Sequence, residues 1–162
     1  MNIQPRPFDH PDAVKLNDMV QLEYAERYGD GGDVTPLDAT MFDPPRGLYL
    51  LAYDAQDRPV ATGGWRGQEE NEEGYSDGDA EIKRMFVTAE ARGNGLARRI
   101  LAALEADARA AGRTRMVLET GDQQPEAIAL YTSSGYTLCS KFGHYRTYDS
   151  SICMAKSLTG PA

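Results

Sequence analysis

The sequence has few of the residues that build metal sites and disulfide frameworks. Its 162 residues include two cysteines, Cys139 and Cys153, and two histidines, His10 and His144. Two cysteines are too few for a disulfide framework, and no Cys/His cluster has the spacing of metal ligands. We therefore expect both cysteines to be reduced structural thiols, and we expect no metal site.

Long apolar runs and a surplus of basic residues are also absent. No uninterrupted apolar segment is long enough to cross a bilayer, and residues 1–10 have no basic stretch followed by an apolar run. We therefore expect a soluble, cytoplasmic protein without membrane contact. The formal net charge is -8, whereas nucleic acids are bound by clustered Lys and Arg. We expect no nucleic-acid partner.

The composition is that of a globular domain, with 41% hydrophobic and 26% charged residues, and we expect one domain over residues 1–162. Apolar periodicity and turn residues predict strands at 3–8, 48–53, 60–65, 80–88 and 115–119, with a final pair within 136–158. The same signals predict helices at 12–28, 33–42, 97–110 and 125–134. This order of elements indicates a mixed sheet.

The most informative segment is a glycine-rich turn between the strand at 82–87 and the helix at 97–110. It reads Arg92-Gly93-Asn94-Gly95 and continues into the helix as Leu96-Ala97. Glycines leave main-chain N–H groups uncovered, and the first turn of a helix has N–H donors without an internal partner. Because the helix dipole and the Arg92 guanidinium add positive charge, we expect this turn to bind a phosphate or pyrophosphate.

Three kinds of phosphate-binding turn are compared with this segment. A Walker loop requires Lys and then Ser or Thr after the second glycine, and the sequence continues Leu-Ala after Gly95. A dinucleotide fingerprint has its first glycine close to the strand and a small third residue, whereas residues 88–91 intervene and Arg98 holds the third position. The acyl-coenzyme A turn, Arg/Gln-x-x-Gly-x-Gly/Ala, is filled in register by Arg92, Gly95 and Ala97.

From residue 80 to residue 136 the sequence resembles the GCN5-related N-acetyltransferases, the GNAT family. The segment Ala127-Ile128-Ala129-Leu130-Tyr131, followed by Gly135-Tyr136, matches the family element Ala-x-x-Leu-Tyr-x-x-x-Gly-Phe/Tyr. The resemblance implies the α+β GNAT fold, a central twisted mixed sheet of about six to seven strands flanked by helices. It also implies acetyl-CoA as cofactor, a small-molecule amine as substrate and a homodimer.

The resemblance further implies which residues contact the cofactor. The resemblance implies that the strand at 82–87 splays away from the strand at 116–119 and that its freed main-chain amides bind pantetheine and the thioester oxygen. Acetyl transfer passes through a tetrahedral oxyanion, so fixed N–H donors at that oxygen are what the chemistry requires. The expected cofactor contacts are Met85, Phe86, Val87, Arg92, Gly93, Asn94, Gly95, Leu96, Ala97, Arg98 and Gln124, the last standing where many members have Asn.

Two residues are predicted to move protons. Relatives place a phenol at the position of Tyr131 near the coenzyme A sulfur, where it protonates the departing thiolate as a general acid. An alkylammonium cannot attack while protonated, so a base is also required, and Glu81 is the first candidate. The alternative for Glu81 is an exposed carboxylate paired with Lys83 or a cross-strand cation.

Strand alternation places Glu81, Lys83, Met85 and Val87 on one face, and Ile82, Arg84 and Phe86 on the other. The predicted reaction is direct acetyl transfer to a primary amine, with a small polyamine-like or amino-acid amine ahead of a peptide amine. The alternative function is a non-catalytic module that binds or senses acyl-CoA.

Overall fold

The computed structural model describes residues 1–29 and 32–159 of the chain. Its strands are β1 (Asn2–Pro5), β2 (Gly47–Tyr53), β3 (Pro59–Gln68), β4 (Asp79–Val87), β5 (Arg115–Gly121), β6 (Thr137–Leu138) and β7 (Ser151–Ser157). Its helices are α1 (Pro11–Tyr28), α2 (Leu96–Ala110) and α3 (Pro125–Ser133), with short 3-10 turns at Ala39–Phe42 and Ala89–Ala91. The seven strands form one sheet in the order β1-β2-β3-β4-β5-β7-β6. The α+β fold class and the mixed sheet are confirmed.

Helices cover both faces of the sheet. Helix α2 buries an apolar stripe with helical spacing against one face, where Ile100 and Leu104 are fully buried together with Trp65 of β3. The Trp65 indole Nε1 donates a hydrogen bond to Asp107 of α2 at 2.9 Å. Helix α1 packs Ala13 and Leu16 against the opposite face. The sheet is therefore the middle layer of three.

Strands β4 and β5 pair in parallel, and they separate part-way along their length. Only Asp79–Glu81 of β4 pair with Arg115–Val117 of β5, although both strands continue beyond this point. A β-bulge lies just past the separation, because the β3–β4 register shifts between Thr62 and Gly64 and Arg84 adopts a φ of 62°. A bulge bends its strand and increases its twist. The divergence opens a cleft between the two strands, which we call the β4–β5 cleft.

Two predicted segments differ from the structure, and each has a local cause. Strand β1 ends at Pro5, since prolines cannot extend a ladder of N–H donors. The predicted helix at 33–42 is only the 3-10 turn Ala39–Phe42, because the Asp33 carboxylate accepts the Thr35 N–H at 2.9 Å and holds a local turn instead. The final pair of strands is present, but residues 139–150 between its members form a loop.

The remaining predicted helices and strands are present, with ends that move by a few residues. Among the residues described, no helix is both long enough and apolar enough to span a membrane.

Candidate active site

The β4–β5 cleft brings residues from several segments of the chain together. Its lining comes from strands β4 and β5, helices α1 and α3, the segment after α1 that holds Asp33, and the loop at 139–150. The side chains that line it include Tyr24, Asp33, Lys83, Arg84, Met85, Glu119, Gln124, Tyr131, Tyr145 and Tyr148.

The glycine turn leads into α2 beside the end of β4. Gly93 and Gly95 have φ values of 84° and 73°, and a Cβ added to either would meet no atom within 4 Å. Within residues 1–29 and 32–159, the N–H groups of residues 93–98 have no hydrogen-bond acceptor, while the Arg99 N–H already bonds to the Gly95 carbonyl. This run of free donors at a helix N-terminus is suited to an anion.

The two arginines predicted to bind the cofactor are held beside the turn by other side chains. Arg92 donates from Nε to the Val87 carbonyl at 2.9 Å, and its Nη2 lies 3.2 Å from a carboxylate oxygen of Glu23 on α1. Arg98 donates to the Ser133 hydroxyl at 2.6 Å. Both remain exposed enough to reach a ligand at the turn, where Leu96 is buried in the core and Ala97 is half-buried.

The bulge changes the alternation predicted for β4. Met85 and Val87 pack toward the α2 side of the sheet, while Phe86 packs with the α1-side cluster. A Cβ at Gly63 would meet the Met85 sulfur, so the glycine makes room for that side chain. Glu81 and Lys83 contact groups on the α1 side, and the prediction that they share a face with Met85 and Val87 was therefore wrong. Sequence alternation assumes an unbroken ladder, which a bulge interrupts.

Tyr131 lies on α3 with its side chain in the β4–β5 cleft. It is 5% exposed, and its ring meets that of Tyr136 edge-on at 5.7 Å. Among the residues that the structure describes, burial alone acts on this hydroxyl, and no hydrogen bond to it is present. Burial raises the pKa of this phenol well above its ordinary value, which keeps it protonated at neutral pH.

Glu81, the predicted base, lies in a buried ion pair outside the lining of the cleft. One carboxylate oxygen accepts from Arg66 Nε at 2.8 Å, and the other accepts from the Tyr75 hydroxyl at 2.9 Å. The side chain is 3% exposed. Both oxygens of this carboxylate are thus occupied, and the structure does not bring Glu81 together with Tyr131 in the cleft.

A different carboxylate, Glu119 of β5, lines the cleft, and it was not predicted from the sequence. Burial raises the pKa of the Glu119 carboxyl, while Lys83 and Ser151 act in the opposite direction. One feature of the sequence could have pointed to Glu119. It is a carboxylate at the end of the predicted strand at 115–119, next to the strand expected to bind pantetheine. Its proximity to the cleft follows from the splay of two strands, which no local pattern encodes.

Gln124, a predicted cofactor contact, lies in the cleft, whereas His144 lies outside it. Gln124 precedes α3, lines the cleft and approaches the Tyr28 hydroxyl at 3.5 Å. His144 is exposed and packs edge-on against Tyr145 outside the cleft.

Comparison with known proteins shows the family to which the chain belongs. A sequence model described as "Acetyltransferase (GNAT) family" matches residues 14–136. The chain belongs to the GNAT family. Membership confirms the predicted family, the enzyme class of acetyl-CoA-dependent acetyltransferases and the cofactor acetyl-CoA.

Individual GNAT relatives cover different shares of the chain. An IAA acetyltransferase from Azospirillum brasilense is 44% identical over 81 residues, which are 50% of this chain and 53% of that protein. The match to this relative thus spans about half its length. The uncharacterized N-acetyltransferase YsnE from Bacillus subtilis (strain 168) is 29% identical over 127 residues, covering 74% of this chain and 84% of that one.

Solved GNAT structures match nearly the whole fold. A candidate acyl-CoA N-acyltransferase from Klebsiella pneumoniae subsp. pneumoniae MGH 78578 has a TM-score of 0.78 and 28% identity, covering 98% of this chain and 97% of that chain. An aminoglycoside 6'-N-acetyltransferase complexed with coenzyme A has a TM-score of 0.72 and 20% identity, covering 100% and 99%. At 20% identity this second likeness shows the fold alone.

The residues of this GNAT chain fit a coenzyme A thioester. The free N–H groups at 93–98 suit a pyrophosphate, and the open space at Gly93 and Gly95 permits close approach. Beyond Glu81, the edge of β4 that faces β5 pairs with no strand in the described part of the chain, so its amides are available to an extended ligand. Tyr131 adds a hydroxyl that lacks a partner among the described residues.

Proposed function

We propose that the protein transfers the acetyl group of acetyl-CoA directly to the primary amine of a small molecule. The observation that carries this proposal is the convergence, in one cleft, of the Glu119 carboxylate and the Tyr131 phenol, which has no hydrogen-bond partner among the described residues. The cleft lies next to a turn with free N–H donors in the described structure. When bound, acetyl-CoA supplies the acetyl group as an activated thioester. The remaining steps are proton transfers and charge stabilisation by the chain.

Glu119 is the proposed base. An alkylammonium has a pKa near 10 and must lose a proton before its nitrogen can attack. Burial of Glu119 raises the pKa of its carboxyl and brings it closer to that of the amine, which favours proton transfer directly or through one water. Glu81 is less suited to this role, because Arg66 and Tyr75 hold both of its oxygens.

Tyr131 is the proposed acid. Its raised pKa keeps the hydroxyl proton in place until a strong base, such as a departing thiolate, forms nearby. Main-chain N–H groups around Met85, Phe86 and Val87 are proposed to stabilise the oxyanion, since fixed donors aimed at a developing charge need no reorganisation.

A covalent route through a cysteine is less well supported. A nucleophilic cysteine requires a lowered thiol pKa. Burial raises the pKa of both Cys139 and Cys153, and neither lines the β4–β5 cleft. We therefore propose transfer without an acyl-enzyme.

The test is an assay of free-thiol release from acetyl-CoA with a panel of primary amines. We expect at least one amine to accelerate release, and Tyr131→Phe to lower kcat by about a hundredfold to ten-thousandfold, the usual loss for a general acid. Calorimetry should show unchanged coenzyme A affinity in that variant. Tyr53→Phe is the matched control, since its hydroxyl bonds to Asp12 away from the cleft.

Two results would contradict the proposal. If coenzyme A binds and no amine accelerates release, the non-catalytic binding or sensing module is favoured instead. If Tyr131→Phe turns over like the wild type, Tyr131 is not the acid. The single domain, the cytoplasmic location and the homodimer stay predictions.

A further inference from the structure

Two consecutive cations of β4 meet the same carboxylate in the β4–β5 cleft. Lys83 Nζ lies 3.4 Å from Asp33 Oδ2, and Arg84 Nε lies 3.6 Å from that same oxygen. Consecutive residues of a regular strand point to opposite faces. The bulge, with Arg84 at a φ of 62°, is what brings both side chains to one anion. Left-handed backbone at a residue other than glycine is strained, and such strain concentrates at ligand sites.

The Arg84 guanidinium is buried but poorly satisfied. Its side chain is 7% exposed, that of Lys83 is 9% exposed, and that of Asp33 is 13% exposed. Among the described residues, Arg84 Nε has no hydrogen-bond acceptor, and its Nη2 reaches only the Asp33 carbonyl at 3.5 Å. A buried guanidinium usually donates several short hydrogen bonds. Arg84 therefore retains donors for a ligand in the cleft.

The charges of the cleft balance only if the ligand carries a negative group. Lys83 and Arg84 are both cations, while Asp33 supplies one negative charge and is held ionised by its two partners. Glu119 supplies a second negative charge until it accepts the proton of the attacking amine. From that moment the cluster has a surplus positive charge, and a buried charge without a partner is costly.

We propose that the acceptor is an amine that also bears a carboxylate, an amino-acid-type substrate, and that Arg84, assisted by Lys83, binds the carboxylate. This inference rests on the proposed function, because it identifies the acceptor of that same site. The planar fork of arginine matches a carboxylate with two parallel hydrogen bonds, a geometry that Asp33 does not make with Arg84. Of the two amine classes predicted from the sequence, a polyamine would add positive charge to this cluster, whereas an amino acid would neutralise it.

The other residues of the cleft indicate which side chain such a substrate carries. Tyr24, Tyr28, Tyr145 and Tyr148 line it, and the rings of Tyr145 and Tyr148 meet edge-on at 5.3 Å. Aromatic walls favour an apolar or aromatic body. L-Phenylalanine and L-phenylalaninamide are therefore suitable probes, since they share a shape and differ in the carboxylate.

The experiment compares kcat/KM for these two amines by thiol release from acetyl-CoA. Phenethylamine, which has neither the carboxylate nor the amide, is the third probe. In Arg84→Gln we expect kcat/KM for phenylalanine to fall about ten- to a hundredfold, mainly through KM, because a charge-assisted pair to carboxylate is lost. Phenylalaninamide and phenethylamine should change less than about threefold, since neither contacts the guanidinium as an anion. Because each amine is compared with itself across variants, differences in amine pKa cancel.

Matched variants separate recognition from folding. Arg58→Gln removes an exposed arginine of the hairpin and should leave all three rates unchanged. Arg84→Lys, which keeps the charge without the fork, should give an intermediate loss for phenylalanine. If Arg84→Gln does not fold, inhibition of the wild type by N-acetylphenylalanine and N-acetylphenethylamine supplies the same comparison, and the carboxylated product should bind at least tenfold more tightly.

The outcomes distinguish this inference from the proposed function. Equal loss for phenylalanine and its amide in Arg84→Gln, or equal inhibition by the two products, overturns the carboxylate assignment and leaves amine acetylation standing. Failure of every amine in the wild type overturns both.

Discussion

Glu81 and Glu119 lie on neighbouring strands and differ in what surrounds their carboxylates. Glu81 forms a buried ion pair with Arg66 at 2.8 Å. Replacing it with Gln leaves the guanidinium without its counter-charge, and we expect Glu81→Gln to lower the free energy of unfolding by about 3 kcal/mol, as when one partner of a buried pair is removed. Glu119→Gln should change it by less than about 1 kcal/mol, because burial already disfavours the ionised form. Urea denaturation of the two variants measures this difference. Equal losses of unfolding free energy in the two variants would contradict the prediction.

The pH dependence of the rate follows from the ionisation of Glu119. The pKa of Glu119 is raised by burial, and a base acts only when deprotonated. The wild-type kcat/KM should therefore rise with pH through a value above the ordinary glutamate pKa and level off once Glu119 is ionised. Glu119→Gln should abolish this limb and lower the rate about a hundredfold or more. A limb that persists in Glu119→Gln and disappears in Glu81→Gln would return the base assignment to Glu81.

The role of a residue could be predicted where a sequence motif fixes its position. It could not be predicted where tertiary contacts determine the surroundings of the side chain. The spacing of Tyr131 from Gly135-Tyr136 placed it in the family element, and the structure puts it in the cleft. The choice of base could not be made this way. Glu81 is drawn into an ion pair by Arg66, 15 residues earlier in the chain, while Glu119 gains its position from the divergence of β4 and β5.

At the scale of elements, substitution of two glycines tests whether the N-terminus of α2 binds coenzyme A. Gly95 and Gly112 stand at opposite ends of α2 with φ values of 73° and 84°, and a Cβ at either would meet no atom within 4 Å. Substitution of either by Ala should cost about 1 kcal/mol of stability for the left-handed backbone. Only Gly95→Ala should also weaken coenzyme A binding in calorimetry, because its Cβ occupies the space at the free N–H groups. Equal affinities in the two variants would show that the turn does not hold the pyrophosphate.

The separation of β4 from β5 predicts where a bound cofactor protects the chain. Amides of β4 beyond Glu81 that face β5 lack a strand partner in the described structure. With coenzyme A present, hydrogen exchange should slow at residues 82–87 and at 93–98, while β1 and β2 should exchange as before. Uniform protection across the sheet would instead indicate a general stabilisation.

Most elements followed from periodicity, whereas two features depend on contacts between distant parts of the chain. Helix α2 has an apolar stripe and glycines at both ends, so its bounds were predicted within one residue. The bulge at Arg84 and the loop at 139–150 depend on distant contacts, such as the Gly143 N–H to the Glu73 carbonyl at 2.8 Å. Such contacts leave no local pattern in the sequence.

At the scale of the whole molecule, cofactor binding should raise the free energy of unfolding and the Tm. A ligand that binds only the folded state at about a hundred times its Kd adds about 2.7 kcal/mol, which for a chain of this size raises the Tm by about 5–10 °C. Thermal denaturation followed by circular dichroism, with and without coenzyme A, measures the shift. Adenosine, which lacks the pyrophosphate, is the control and should shift the Tm by less than 1 or 2 °C, about the error of such a comparison.

The single indole of the chain also has a practical consequence. Trp65 is fully buried between the sheet and α2, is tied to Asp107 at 2.9 Å and does not line the β4–β5 cleft. Its fluorescence therefore comes from one apolar site and shifts to longer wavelength when the two layers part. The protein thus contains an intrinsic optical probe of unfolding, with no competing tryptophan in the chain.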